Sequence, residues 1–343
     1  MKQLSFFILY CLLHTANCFA QDPQFSQFYA APLYLNPAFA GTSGGSRLIA
    51  NYRHQWPSIP GAFVTYSFSF DHNFYKLNSG MSLFFNRDKA GSGGLRTTNM
   101  GYQYSYKLQL SRKWHVRFGM ELSYRTRDID FSSLVFNDQL LTGASATTET
   151  PPGDKVSFLD FSSGLLAYSK KYWLGLSAHH LTQPNESLWE DNQSILPLII
   201  SLHGGAKIPV EDKAGKSTSV SGRKGSKYIS PAFSYKAQEK YDQLDLGLYY
   251  YNNPVTIGIW YRGIPLLKAY QKGYQNNDAV IVLIGYKVKD LSIGYSYDLT
   301  ISKLSIASTA GSHEISIIYE FNNKVEEQKK GKNKPIIVPC AKF

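Results

Sequence analysis

Histidine and glutamate, the usual side chains of metal and acid–base chemistry, occur here without the spacing that such chemistry needs. His313 precedes Glu314, but the second histidine of the zinc motif H-E-x-x-H is absent. His179 and His180 are adjacent, and neighbours in a strand face opposite sides, so they cannot chelate one metal together. We interpret this pair as structural, with one histidine on each face.

Acidic residues and nucleophiles give no stronger signal. Asp128, Asp130 and Asp138 cluster without the spacing and glycine of an EF-hand, which favours a solvated acidic loop over a calcium site. The chain has no C-x-x-C, P-loop or dinucleotide fingerprint. We therefore predict no catalytic residue, no cofactor and no metal, and a protein that is not an enzyme.

The elements that carry the polar residues are stretches of about ten residues in which apolar and polar side chains alternate. In 291–299, Leu291, Ile293 and Tyr295 share one face, whereas Ser292 and Gly294 share the other. Stretches 100–110 and 116–125 alternate in the same way. Repeated alternation separated by turn-rich joints is typical of a transmembrane β-barrel.

The fold class predicted is therefore all-β, a transmembrane antiparallel β-barrel of about 14 strands over residues 46–322 with an N-terminal, periplasmic, plug-like segment. The strands are expected at 46–56, 61–71, 79–87, 96–110, 114–127, 157–169, 171–181, 197–209, 227–236, 242–251, 254–263, 278–287, 290–301 and 312–322. Aromatic residues make up 15% of the chain, as expected where Tyr and Trp line both membrane interfaces. The net charge of +11 is scattered over turns and polar faces, which argues against nucleic acid as a partner.

Charged residues recur on the polar faces of these strands. A basic side chain facing lipid at mid-depth costs about 2–4 kcal/mol, so we expect these charges to face the lumen, paired or hydrated. The candidate lumen charges are Arg117, Glu121, Arg125, Asp245, Arg262, Asp298 and Glu314, with Glu320 as a further member.

Three segments flank the strands. Residues 1–20 are interpreted as a signal peptide, with cleavage after Ala20. A retained anchor is disfavoured because the apolar run is short, and a lipoprotein site at Cys18 fits poorly after Asn17. Cleavage would remove Cys11 and Cys18 and leave Cys340, whose role stays open.

The segment 21–45 is rich in Pro, Phe and Tyr and lacks strand alternation. It is the candidate plug of a lumen too wide to be filled by wall side chains alone. Its turn-rich core admits two overlapping interpretations, an apolar periplasmic lid or plug, and a docking segment for a partner. The candidate plug or docking residues are Asn36, Pro37, Ala38, Phe39, Ala40 and Gly41.

The ends of the barrel follow from its joints. An even strand number with short periplasmic turns predicts that both chain termini lie in the periplasm and that the long joints lie outside. Residues 211–226 break this rule, which indicates either a periplasmic protrusion or a register error. Residues 323–343 are lysine-rich and are expected to form a basic periplasmic tail, solvated or docked on an acidic partner.

Several motifs also match one family. The sequence DPQFSQFYAAPLYLNPAFAG (22–41) followed by YRHQWP (52–57) resembles the PorP/SprF family of type IX secretion membrane proteins. The likeness continues in FSSLVFNDQL (131–140), LDFSSGLLAYSKKYWLGLSAHHLTQP (159–184), LSIGYSYDLTISKL (291–304), GSHEISIIYEF (311–321) and the terminal CAKF, in which Ala341 stands where we expect proline.

This resemblance implies an outer-membrane barrel of gliding or secreting Bacteroidota, embedded in lipid. It further implies that the protein delivers or anchors a secreted cargo with an adhesin-like C-terminal domain, and contacts periplasmic components of the type IX machinery. The alternative, from barrel size alone, is an outer-membrane channel for small or hydrophobic solutes. A barrel-borne hydrolase is the weakest hypothesis, because no nucleophile and base are placed together.

Topology is testable by labelling. A cysteine in the joint 264–277 of a Cys340-free variant should react with an impermeant reagent on intact cells, because this long joint is expected outside. Reaction only after outer-membrane permeabilisation would invert the predicted orientation.

Overall fold

The computed structural model describes residues 22–149, 153–189, 192–210, 227–264, 276–322 and 338–340. They form an antiparallel β-barrel of 14 strands. The strands are β1 (Gly45–Gln55), β2 (Phe63–Phe74), β3 (Ser79–Ala90), β4 (Leu95–Gln109), β5 (His115–Asp128), β6 (Lys155–Tyr168), β7 (Tyr172–His179), β8 (Ile199–Ala206, continued by Ile208–Pro209), β9 (Lys227–Gln238), β10 (Tyr241–Asn252), β11 (Val255–Gly263), β12 (Asn277–Val288), β13 (Leu291–Thr300) and β14 (Ser312–Asn322).

Helical structure in the described residues is short. The α-helices are α1 (Pro32–Leu35), α2 (Asn137–Thr142) and α3 (Ile306–Thr309), and the 3-10 turns are Phe28–Ala30, Pro37–Phe39, Tyr75–Leu77 and Phe131–Ser133. None of these helices has the length and apolar character needed to cross a membrane.

The sheet closes because the first and last strands pair. β1 lies antiparallel to β14, with Arg47 opposite Glu320 and Arg53 opposite Glu314, and every other strand pairs with its two chain neighbours. Closure leaves the sheet without open edges. A bilayer requires this, because lipid offers no hydrogen-bond partner to an unpaired backbone N–H or C=O group. The predicted all-β barrel is confirmed.

Side-chain burial follows the strand alternation. In β5, the outward Met120 is 69% exposed and Phe118 is 52% exposed, whereas the inward Arg117, Glu121 and Arg125 are buried. Apolar outward faces suit lipid, and the polar inward faces are shielded from it.

The two ends of the barrel differ. Joints 75–78, 110–114, 169–171, 253–254 and 289–290 are at one end, which we call the short-turn end; β1 begins there and β14 ends there. Joints 56–62, 91–94, 129–154, 180–198, 239–240, 264–276 and 301–311 are at the other, which we call the long-loop end.

The strands that flank residues 211–226 keep a single register. β8 and β9 pair from Ile199 opposite Gln238 to Gly205 opposite Ala232, and the continuation places Pro209 opposite Tyr228. The joint therefore starts and ends at the short-turn end without the register error considered above. Residues 211–226 themselves lie outside the described residues.

Two expectations about the chain ends are corrected. Asp22, the first described residue, contacts Arg125 and His180 at the long-loop end, so the expectation that both termini share the short-turn end is wrong for it. Val338, Pro339 and Cys340 are buried, so this part of the expected solvated tail is not solvated. The signal peptide and the remainder of the tail lie outside the described residues.

Candidate functional site

The N-terminal segment, here residues 22–43, passes along the interior of the barrel from one end to the other. At the long-loop end the guanidinium of Arg125 donates to Asp22 at 2.9 Å, and at the short-turn end the Gly41 N–H donates to Asp71 at 2.9 Å. All residues of this segment from Phe25 to Leu33 and from Asn36 to Ser43 are buried. The segment therefore packs against the inner wall over the full depth of the barrel and is not a lid on one end.

Asn36 anchors the middle of this segment. Its side-chain oxygen accepts a hydrogen bond from the Ala38 N–H at 2.8 Å, which caps the 3-10 turn Pro37–Phe39, and Pro37 suits the first position of that turn. Its amide nitrogen donates to the carbonyls of Leu165 and Leu176 at 3.2 and 3.1 Å. One fully buried side chain thus joins the segment to β6 and β7.

Glycines of the wall form a groove under residues 36–41, which are the candidate plug or docking residues. A Cβ on Gly119 would collide with the backbone of Pro37 and Ala38, and one on Gly164 with the Asn36 side chain. A Cβ on Gly80 would strike the backbone of Ala40. The groove exists because the wall carries no side chain where the segment approaches it most closely.

Four of the candidate lumen charges form one network near the long-loop end. Arg262 contacts Asp245 of β10 at 2.8 Å and Asp298 of β13 at 3.2 Å. Arg53 contacts Asp298 at 2.9 Å and Glu314 at 3.1 Å. Sequence reasoning missed Arg53, although its place in β1 opposite Glu314 is the signal that could have found it.

Ser26 is the N-terminal segment's contribution to this network. Its hydroxyl donates to Asp298 at 2.6 Å and accepts from Arg53 at 2.8 Å and Arg262 at 3.0 Å, while its backbone N–H donates to Glu314 at 2.6 Å. Because buried charges need partners to offset their desolvation, the segment and the wall stabilise each other here.

The other candidate charges lie elsewhere on the inner wall and also touch the segment or its neighbours. Arg117 donates to the Gly41 carbonyl at 2.9 Å, and Glu121 accepts from Gln103 at 2.6 Å. The same Gln103 nitrogen donates to the Leu33 carbonyl at 2.8 Å. Glu320 instead contacts Lys287 at 3.3 Å.

A second ionic cluster holds Asp22 in place. The two ring nitrogens of His180 face Asp22 at 2.9 Å and Asp160 at 2.6 Å, and Arg125 contacts both carboxylates. Burial opposes the charged form of His180, but the two carboxylates raise its pKa to about 9. Burial likewise opposes the charged form of Asp22, yet Arg125 and His180 hold the pKa of this carboxyl well below its usual range.

The expectation that His179 and His180 face opposite sides is wrong. β7 ends at His179, and His180 has a positive φ of 61°, so the strand alternation stops between them. Both histidines contact the N-terminal segment, His179 at the Leu35 carbonyl (3.4 Å) and His180 at Asp22.

The acidic residues after β5 are not gathered at one point. Asp128 pairs with Arg96 at 2.7 Å, Asp130 accepts from Ser132, and Asp138 accepts from residues 147 and 148. Within the described ranges, no group of three or more His, Cys, Asp or Glu side chains is arranged to hold a metal ion.

The geometry defines a class before any comparison: a closed barrel with a lipid-compatible exterior and an interior occupied by its own N-terminal segment. Residues 17–319 match the family model described as "Type IX secretion system membrane protein PorP/SprF". The chain therefore belongs to the PorP/SprF family of type IX secretion system membrane proteins, and its barrel is an outer-membrane barrel.

Two solved structures align with most of the chain. The Pseudomonas putida toluene transporter TodX aligns with 84% of this chain and 93% of its own, at 12% identity and a TM-score of 0.47. The Acinetobacter baumannii protein Omp33 aligns with 81% of this chain and 100% of its own, at 8% identity and a TM-score of 0.41. No curated protein matches the chain significantly.

The glycine groove predicts a size limit. Gly119→Ala should displace residues 36–39 and destabilise the protein by roughly 1–3 kcal/mol, the usual cost of overpacking. Thermal unfolding in detergent measures this, with Gly93→Ala as the matched control, because a Cβ at Gly93 makes only ordinary contacts at 3.5 Å or more. Equal unfolding temperatures for the two variants would show that the wall does not hold the segment this closely.

The Asp22 cluster predicts a pH dependence. Because the folded pKa of His180, about 9, lies above its unfolded value of 6.5, its stabilisation is complete below pH 6.5 and is lost as pH rises through 9. The free energy of unfolding should fall by up to about 3 kcal/mol over this window. His180→Gln should remove this part of the pH dependence; an unchanged profile in the variant would assign it to other groups.

Proposed function

We propose that the protein is a non-enzymatic component of the type IX secretion system that holds an adhesin-like secreted cargo at the outer membrane and links it to periplasmic components of the machinery. Membership of the PorP/SprF family supports the system. The observation that supports the rest is the burial of residues 25–33 and 36–43 inside the barrel, because a barrel occupied by its own chain would offer partners its two ends instead of a passage.

The size of the barrel supports a role beside the translocation pore. Even barrels of 16–18 strands leave only an aqueous channel of porin width, too narrow for a folded adhesin. The cargo would therefore be held by the joints at the long-loop end, outside the cell, while the short-turn end and the basic tail face periplasmic partners. Cleavage of the signal peptide near Ala20 is part of this proposal, because Asp22 lies inside the barrel mouth.

The N-terminal segment is proposed to act as the plug. Its contacts at Ser26, Asn36 and Gly41 engage the wall at three depths. The alternative is a channel for small or hydrophobic solutes, in which the same segment would be a removable hatch.

Conductance separates these two functions. The mature protein in planar bilayers should conduct little, and deletion of residues 22–41 should increase the current, since removing the segment vacates the lumen. Gly93→Ala serves as the matched control for expression and reconstitution, because its added Cβ makes only ordinary contacts. Large steady currents from the intact protein would favour the channel.

Deletion of the gene tests the secretion role. We expect one class of surface adhesin to disappear from the cell surface while other substrates of the same machinery are still secreted, measured by profiling secreted and surface proteins. Normal display of every cargo together with a defect in solute uptake would contradict the proposal.

A further inference from the structure

A second segment of the chain enters the barrel from its other end. Val338 is 3% exposed and Cys340 is 7% exposed, and both belong to the same apolar cluster as Tyr29, Tyr249 and Trp260. Arg47, near the start of β1 at the short-turn end, also interacts electrostatically with Cys340. Val338 and Cys340 thus lie inside the short-turn half of the barrel.

The inner wall contains an apolar band at this depth. Ile49, Trp173, Ile281 and Leu283 are at most 3% exposed, although they face the lumen. The interior of a water-filled barrel is polar, so an apolar band indicates a surface built to be covered by chain. We call this surface the apolar band; its residues are Ile49, Leu166, Trp173, Tyr249, Trp260, Ile281, Leu283 and Ile318.

The N-terminal segment covers part of the band through its aromatic side chains. Tyr29 meets Trp173 edge-on at a ring-centroid distance of 5.6 Å, and Phe28 contacts Trp260 at 5.2 Å. Val338 and Cys340 belong to the same cluster and add to this cover from the opposite end of the chain.

The number of residues between β14 and Val338, and the order of charged and apolar residues in the sequence, agree with this placement. β14 ends at Asn322 at the short-turn end, and fifteen further residues span up to about 50 Å when extended, enough to return into the lumen. In the sequence, the lysines 324, 329, 330, 332 and 334 precede an apolar run, Pro335 to Cys340. A lysine-rich stretch is costly to bury, whereas the apolar run gains by burial.

We propose that the apolar band is a peptide-binding site whose ligand is the chain's own C-terminal segment, and that docking of this segment locks the N-terminal segment in the barrel. Both the site and its ligand are parts of this chain, so no secreted cargo is involved.

The first test uses Cys340 as a reporter. In mature protein that begins at Gln21, the thiol should react with a maleimide at least about tenfold more slowly in folded protein than in denaturant, because reaction requires the segment to leave its site. The control is Lys113→Cys in a Cys340→Ser background, an exposed position at the same end, which should react rapidly in both states. Equally rapid reaction of Cys340 in the folded protein would overturn the proposal.

The second test supplies the ligand in trans. A variant ending at Asn323 should bind a fluorescent peptide of sequence KNKPIIVPCAKF, and the same peptide with Val338→Asp should bind at least about tenfold more weakly, since it would bury a carboxylate without a partner. Equal affinity of both peptides, or binding of neither, would contradict the site. If the truncated variant does not fold, the Cys340 reactivity of the full chain decides alone.

Dilution identifies the source of the segment. Protection of Cys340 that is independent of protein concentration supports docking within one chain. Protection that disappears on dilution would mean that the segment comes from a second copy, and would overturn the lock within the chain.

Docking of the C-terminal segment should also protect the N-terminal segment from proteolysis. Removal of the C-terminal segment should increase the proteolytic accessibility of residues 22–43 in the folded barrel, and the KNKPIIVPCAKF peptide should restore protection. Unchanged accessibility with an intact barrel would show that the C-terminal segment binds without locking.

Discussion

Charge buried inside a barrel is the constraint on which the rest of this structure depends. Lipid forces the ionisable side chains of the strands inward, and there they need partners because an isolated buried charge is unstable. Arg53 and Arg262 pair with carboxylates on the wall, and Ser26 completes the network, because its hydroxyl and backbone N–H contact residues of four strands. The barrel interior and the N-terminal segment therefore supply each other's hydrogen-bond partners.

The same mutual dependence appears at the backbone level. Gly119 and Gly164 are ordinary inward positions of β5 and β6, yet their missing side chains let residues 36–38 lie directly against the sheet. Asn36 then satisfies carbonyls of two different strands. A barrel packed in this way has an interior lined by its own N-terminal segment and two ends that differ in the length of their joints.

Much of the architecture was predictable from local pattern. Alternation in stretches such as 116–125 and 291–299 predicted both the barrel and the inward position of Arg117 and Asp298, because strand side chains change face at every residue. Strand ends were less accurate: β2 extends to Phe74 where the pattern ended at 71, since aromatic residues at an interface suit either a strand or a turn. The side that His180 faces was mispredicted for a similar reason, because nothing in the local sequence indicates the positive φ that ends the strand alternation there.

The fold class, the outward and inward faces and the family follow from the amino-acid order, since these depend on periodicity and on the sequence of motifs. Three features became visible in the folded barrel alone: Asp22 lies at the long-loop end, Arg53 joins Glu314 to Asp298, and Val338 and Cys340 lie in the lumen. The reason is physical: contacts between residues hundreds of positions apart depend on closure of the sheet, and closure is a property of all fourteen strands together.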